Sequence, residues 1–182
     1  MVPLWPLPMM SGSMTCEIAA SPQVVWETIT DSQHATSILT QLMEHDVISG
    51  EIPKVGSVVR ETRTWKSRTT ESFRTITSVT IHDGEYYSLS TNIHLSQSRA
   101  FSKKQHAART GSWTIVQGNS NGSSVFVWTY AAIPETWQES MALFVFGKVI
   151  RKSIEYHFQQ DLQDFKREAE RRQQARMDCG CA

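Results

Sequence analysis

The chain has 182 residues, a length that fits one domain with a buried core or an enclosed cavity. Its 18 basic and 18 acidic residues give a formal net charge of zero, which argues against a nucleic-acid partner. No apolar stretch reaches the roughly 20 residues of a membrane span, and the apolar N-terminus has no basic leader. These features predict a soluble, cytoplasmic protein without stable membrane insertion.

The chain ends are predicted to lie outside the fold. Residues 1–13 are interpreted as a disordered leader and residues 173–182 as a flexible tail, which leaves 14–172 as one domain. Cys179 and Cys181 in the tail are too few and too isolated for a zinc site, so their role stays open. Cys16 is predicted to be a buried strand thiol.

The first elements are a strand that passes directly into a helix. Residues 16–20 alternate roughly in polarity, whereas the apolar positions after Pro22 recur at three and four residues. Ser21 is a favoured N-cap, and Pro22 suits the first helical position, where its missing N–H costs nothing. A second short helix is predicted around Ile38.

A series of antiparallel strands follows, with period-two patterns separated by turn residues. Asp83-Gly84 and Asn121-Gly122 suit tight hairpin turns because these residue types tolerate positive φ. The predicted strands are 42–48, 57–65, 71–81, 86–95, 112–117 and 124–131.

From about Pro134 the apolar residues recur at three and four positions, which predicts one long amphipathic helix. Asp161 and Asp164 are assigned to its solvated face. A six- to seven-stranded sheet and one long helix must bury a face of each against the other. The predicted fold is therefore α+β: a curved antiparallel sheet, two short helices closing one end, and a long C-terminal helix over a cavity.

The chain resembles the START/Bet v 1-like (SRPBCC) superfamily, the polyketide cyclase and lipid-transport group with a helix-grip fold. The resemblance covers about residues 14–172. It rests on residues 20–26 with Asp31, on residues 55–57, on residues 113–115 before a glycine-containing hairpin, and on residues 162–170. It implies a hydrophobic or amphipathic small molecule held between sheet and helix. It supplies no shared catalytic motif, so fold is better founded than function.

Strand parity predicts which side chains face the cavity, provided that no β-bulge inverts it. Aromatic walls with a few polar groups are typical of a ligand pocket, although the same side chains could fill a solid core. The predicted ligand-binding residues are Val59, Trp65, Phe73, Tyr87, Leu89, Thr91, Trp113, Phe126, Trp128, Phe146, Ile150 and Ile154.

Three ionisable residues interrupt this apolar set. Glu61 and Arg63 share a face of one strand and Glu71 lies on the next, so they could form a polar cluster for a ligand head group. The alternative is that all three are solvated at the sheet edge. Glu61, Arg63 and Tyr130 are the candidates for proton transfer or carbonyl polarisation.

No other catalytic signature is present in the sequence. The six histidines are scattered without metal-ligand spacing, and there is no nucleophile elbow, phosphate loop or dinucleotide fingerprint. We therefore predict no metal and no cofactor.

Three functions stay open. The leading hypothesis is binding or transport of a lipid, sterol or polyketide in the cavity. The second is a cofactor-independent polyketide cyclase or dehydratase. The third is a co-chaperone-like interaction module, which needs an exposed apolar patch that the sequence does not clearly offer. The oligomeric state and the ligand's identity are not predicted.

Overall fold

A computed structural model describes residues 10–65, 68–82, 84–96, 109–120, 122–134 and 137–180. None of its described helices has the length and hydropathy of a membrane-spanning segment. The strands and helices, in chain order, are β1 (Met10–Ile18), α1 (Pro22–Ile29), α2 (Ala35–Ile38), β2 (Leu42–Ser49), β3 (Val58–Trp65), β4 (Arg68–His82), β5 (Tyr86–Ser96), β6 (Arg109–Gln117), β7 (Ser124–Ala132) and α3 (Trp137–Asp178).

The seven strands form one antiparallel sheet in the order β1-β7-β6-β5-β4-β3-β2. Consecutive strands from β2 to β7 are neighbours, and β1 closes the series on β7. The helix-grip fold class is therefore confirmed. Gly84 and Gly122 have φ of 77° and 80°, as the predicted hairpin turns require; their predicted partners Asp83 and Asn121 lie outside the described residues.

Two boundaries differ from the prediction. β1 begins at Met10, inside the predicted leader, because Met10 pairs with Ala132 and is buried in an apolar cluster. At the other end α3 continues to Asp178, through most of the predicted tail. There the Arg176 guanidinium reaches the Glu27 carboxylate on α1, so the last turns of α3 still contact the domain.

The junction between β1 and α1 is held by α3. The Ser21 hydroxyl accepts a hydrogen bond from the Val24 N–H at 3.4 Å, and Pro22 occupies the first turn, as predicted. The backbone N–H of Ala19 donates to Glu170 at 3.0 Å and that of Ser21 to Gln173 at 3.2 Å. The chain can leave β1 abruptly because side chains of α3 satisfy the backbone donors that this break exposes.

One end of the space between sheet and helix is filled by side chains. Phe165 of α3 lies edge-on to Phe126 and Trp113, with ring centroids at 6.1 Å and 6.3 Å. Val24 and Val25 of α1 are fully buried beside them. We call this packed region the closed end.

Asp164 was predicted to lie on the solvated face of α3, but it is buried and has no exposed surface. Its carboxylate accepts hydrogen bonds from the Thr40 backbone N–H and hydroxyl, both at 2.8 Å. Arg167 donates to its other oxygen at 2.9 Å. This aspartate fixes the α2–β2 connection to α3.

Candidate functional site

A cavity of about 430 Å³ lies between the inner face of the sheet and the middle of α3. We call it the main cavity. Its size falls in the range of small-molecule sites, about 300–1,000 Å³. Its lining divides into an apolar wall and a set of charged side chains, described in turn below.

The apolar wall joins β7 to α3 through stacked aromatic rings. Phe158 lies nearly parallel to Trp128, with ring centroids 4.1 Å apart, and edge-on to Tyr130 at 5.3 Å. Ile150 and Ile154 continue the wall along the helix. Four residues of the predicted site, namely Trp128, Tyr130, Ile150 and Ile154, thus lie together on this cavity.

Two arginines bind the buried carboxylate of Glu61. Glu61 accepts from Arg63 Nε at 3.1 Å and from Arg74 at 3.0 Å, and its side chain is 3% exposed. The Arg74 guanidinium also lies 4.9 Å from the centroid of the Trp113 ring. Burial alone would raise the pKa of Glu61, but the charges of Arg74 and Arg63 lower it to about 2. Glu61 is therefore ionised at neutral pH.

Asp161 completes this cluster from α3. Arg63 donates to its Oδ2 at 2.7 Å, which links β3 to the helix. Its Oδ1 is buried, and no described residue donates a hydrogen bond to it. Burial raises the pKa of Asp161, against the opposing charge of Arg63. We call Glu61, Arg63, Arg74 and Asp161 the charged cluster.

Two histidines flank the charged cluster. His157 on α3 shares a hydrogen bond with the Gln41 side chain and lines the main cavity. The Nδ1 of His45 on β2 lies 3.8 Å from a Glu61 oxygen, and neither ring nitrogen of His45 has a hydrogen-bond partner among the described residues. Burial lowers the pKa of both imidazoles, which favours their neutral forms.

Tyr130 is 7% exposed, and its hydroxyl lies 3.5 Å from Glu155 on α3. Burial and the Glu155 charge raise its pKa. A phenol in this setting stays protonated at neutral pH and can donate a hydrogen bond.

Four further predicted residues line a much smaller space between the sheet and the segment of α1 and α2. This inner pocket has a volume of about 40 Å³, well below that of a usual ligand site. Glu61, Arg63, Arg74 and Trp128 border both spaces. The predicted residues that line the inner pocket are Val59, Leu89, Thr91 and Trp113.

Tyr87 and Phe126 belong to the closed end and line neither space. Tyr87 is buried and stacks on Trp26 of α1 at 5.3 Å. Phe126 has no exposed surface and packs against Phe165. These two residues are part of a solid core, which was the alternative to a ligand pocket, because aromatic rings of α1 and α3 pack beside them.

The predicted inward orientation of Phe73 and Glu71 is wrong. Ser72 and Arg74, which alternate with them, line the main cavity. The register of β4 against β5 shifts between Ile76 and Ser78, so the alternation of inward and outward side chains is inverted across that point. Glu71 instead lies outside the cavity, 3.9 Å from the Arg60 guanidinium.

Phe146 is 58% exposed and lines neither space. The strand ends at that level, Met10 and Ala132, are covered instead by Leu143 and Ile150. The side chain of Trp65 lies outside the described part of the molecule.

The first turns of α3 carry an apolar row that faces outward. Trp137, Met141, Val145 and Val149 recur at every fourth position, and their exposures range from 48% to 69%. We call these four residues the outer row. They line neither the main cavity nor the inner pocket.

Sequence reasoning missed Arg74 and Asp161. Arg74 was hidden by the bulge in β4. Asp161, however, follows Phe158 by three residues and precedes Phe165 by four, so it occupies an inward position of the helix. A charged residue at an inward position of an apolar helical repeat is the sequence signal that indicates a buried polar group here. Among the described residues, no group of side chains is arranged to hold a metal ion.

Residues 9–170 match the family described as "Polyketide cyclase / dehydrase and lipid transport". The match spans most of the chain, and the protein belongs to this family. The predicted START/Bet v 1-like superfamily is thereby confirmed. No curated protein sequence matches the chain.

Solved structures with the same fold have low sequence identity. The Zhui aromatase/cyclase from Streptomyces sp. R1128 has 14% identity and a TM-score of 0.65, covering 91% of this chain and 96% of its own. Norcoclaurine synthase from Thalictrum flavum has 11% identity and a TM-score of 0.61, covering 89% of this chain and 94% of its own. The major latex-like protein 151 from Panax ginseng has 14% identity and a TM-score of 0.57, covering 90% of this chain and 97% of its own. These similarities show the fold alone.

Proposed function

We propose that this protein binds an amphipathic small molecule, such as a lipid, sterol or polyketide, in the main cavity. The observation that carries the proposal is the division of one cavity of about 430 Å³ into an aromatic wall and a buried charged cluster. Apolar parts of a ligand would pack on Trp128, Phe158 and Ile154, while its oxygen atoms would face Asp161 and Arg74. The family's description supports the same class of ligand.

A matched pair of helix variants tests this proposal. Nile red, a neutral hydrophobic dye, should bind the wild-type chain saturably, with a fluorescence increase. Ile154→Trp adds a ring inside the cavity and should weaken binding at least about tenfold, since it removes ligand volume. Val149→Trp, on the outward face of the same helix, should leave binding unchanged. Equal affinity in all three proteins would contradict the proposal.

A second candidate function is proton-transfer catalysis in the same cavity, as in a cyclase or dehydratase. It is favoured by Asp161, whose pKa burial raises and whose Oδ1 has no described partner. Glu61 is a poor base by comparison, because the two arginines lower its pKa to about 2.

Deuterium exchange at the α-carbon of a hydrophobic ketone, followed by NMR in heavy water, tests this second function. The wild-type chain should accelerate the exchange above the buffer rate, and Asp161→Asn should abolish the acceleration. An unchanged exchange rate in Asp161→Asn would remove Asp161 from the chemistry.

A further inference from the structure

Three residues that line the main cavity each carry a buried polar atom without a hydrogen-bond partner among the described residues. These atoms are Asp161 Oδ1, Arg74 Nε and Trp128 Nε1. Burying a polar atom without a hydrogen bond destabilises the fold, so such atoms on residues of a cavity wall point to a partner from outside the chain. One of the three accepts a hydrogen bond and two donate.

The charges of the cluster are already balanced. Glu61 and Asp161 supply two carboxylates, and Arg63 and Arg74 supply two guanidiniums, all paired at 3.1 Å or less. Arg109, at the outer part of the same cavity, has an interaction of its own. A ligand carboxylate would therefore be desolvated here without a cation left to pair with it.

A glycine leaves space beside one of the donors. Gly111 faces inward on β6, and a Cβ added there would lie 3.7 Å from Trp128 Nε1 and 3.5 Å from Thr91 Oγ1. These are ordinary contact distances, so an alanine methyl group fits at this position and would lie against the indole N–H.

From these observations, and resting on the function proposed above, we infer that the buried end of the ligand is uncharged and carries a hydroxyl group beside a carbonyl oxygen. The hydroxyl donates to Asp161 Oδ1, and the carbonyl accepts from Trp128 Nε1 or Arg74 Nε. Hydroxyketones and phenolic ketones have this pattern, whereas free fatty acid anions do not.

Displacement of Nile red by three compounds of equal chain length tests the inference. They are a medium-chain α-hydroxyketone, the corresponding ketone and the corresponding fatty acid anion. The hydroxyketone should bind about tenfold or more tighter than the ketone, because its hydroxyl gains a bond to a charged acceptor. The fatty acid anion should be the weakest of the three at neutral pH. Tighter binding of the anion would overturn the inference.

Two variants assign the contacts. Asp161→Asn should remove most of the hydroxyketone's advantage, measured as the ratio of the hydroxyketone and ketone affinities within the same variant. Gly111→Ala places a methyl group before Trp128 Nε1 and should weaken both ketones several-fold. Ser112→Ala, on the outer face beside it, is the control. If Asp161→Asn does not fold, Gly111→Ala alone tests the contacts. Equal affinities of Gly111→Ala and Ser112→Ala for both ketones would then contradict the inference.

Failure of this inference is distinguishable from failure of the proposed function. If Nile red binds and the fatty acid anion displaces it as well as the hydroxyketone does, the cavity is a ligand site but the polar pattern is wrong. If Nile red does not bind at all, the proposed function fails, and the inference fails with it.

Discussion

The two ends of the space between the sheet and α3 are built from similar residues but differ in filling. At the closed end, Phe165 packs edge-on against Phe126, and the inner pocket that Phe165 borders has a volume of only about 40 Å³. Toward the middle of the helix, Phe158 still stacks on Trp128, yet a cavity of about 430 Å³ lies beside them. The difference arises from α1 and α2, which bring extra apolar side chains only to the closed end. The main cavity is therefore the part of the core that α1 and α2 do not cover.

The largest contrast in stability should appear between two phenylalanines of α3. Phe165→Ala removes a ring that is 4% exposed and should lower the free energy of unfolding by about 3–5 kcal/mol. Phe146→Ala alters a side chain that is 58% exposed and should change it by less than about 0.5 kcal/mol. Urea denaturation of both variants measures the difference. Similar losses at the two positions would mean that Phe146 is buried.

A second pair compares the closed end with the cavity wall. Leu162→Ala, at a position 3% exposed, should cost about 2–5 kcal/mol. Ile154→Ala should cost about 1 kcal/mol, because a cavity wall already lacks packing partners on one side. It should also enlarge the cavity and change Nile red affinity, which Leu162→Ala should not. Thermal denaturation with and without the dye checks both parts. An unchanged dye affinity in Ile154→Ala would remove this residue from the site.

The charged cluster makes the stability of the cavity region depend on pH in the acidic range. The pKa of Glu61 is lowered from 4.5 to about 2 in the folded state. A carboxyl group with a lowered pKa stabilises the fold above its unfolded pKa, so this stabilisation should disappear as the pH falls from about 4.5 to about 2. Asp161, whose pKa burial raises, acts in the opposite direction.

Thermal midpoints of the wild type and Glu61→Gln, measured across this pH range, isolate the contribution of Glu61. The stability difference between the two proteins should shrink as the pH decreases, since Gln cannot titrate. A difference that is constant with pH would show that Glu61 is not held by the two arginines.

Much of the fold could be predicted from the sequence because its elements are long and separated by strong turn signals. Ser21 and Pro22 begin α1 as their cap chemistry requires, and the strand boundaries depend on glycine-containing turns such as Gly84. The orientation of β4 could not be predicted, because one bulge after Ile76 inverts every position before it. Local sequence carries little information about a bulge, since it depends on pairing with β5.

The candidate site was predictable only in part, for the same reason. The expected inward positions of Glu61 and Arg63 were correct, but their pairing with Arg74 and Asp161 depends on contacts between β3, β4 and α3. Whether an aromatic residue lines a cavity or fills a core is also a property of its neighbours. Trp128 borders the cavity and Phe126, two residues earlier on the same face, does not, because Phe165 covers only the latter.

A crystal structure of the chain grown with Nile red tests the central claim most directly. We expect electron density for the dye between Trp128, Ile154 and Asp161, with the closed end unchanged. The competing location is the outer row on the first turns of α3, which is apolar and exposed. Dye density on Trp137 and Met141, with the main cavity unchanged and without dye, would contradict the claim that this protein holds its ligand between sheet and helix.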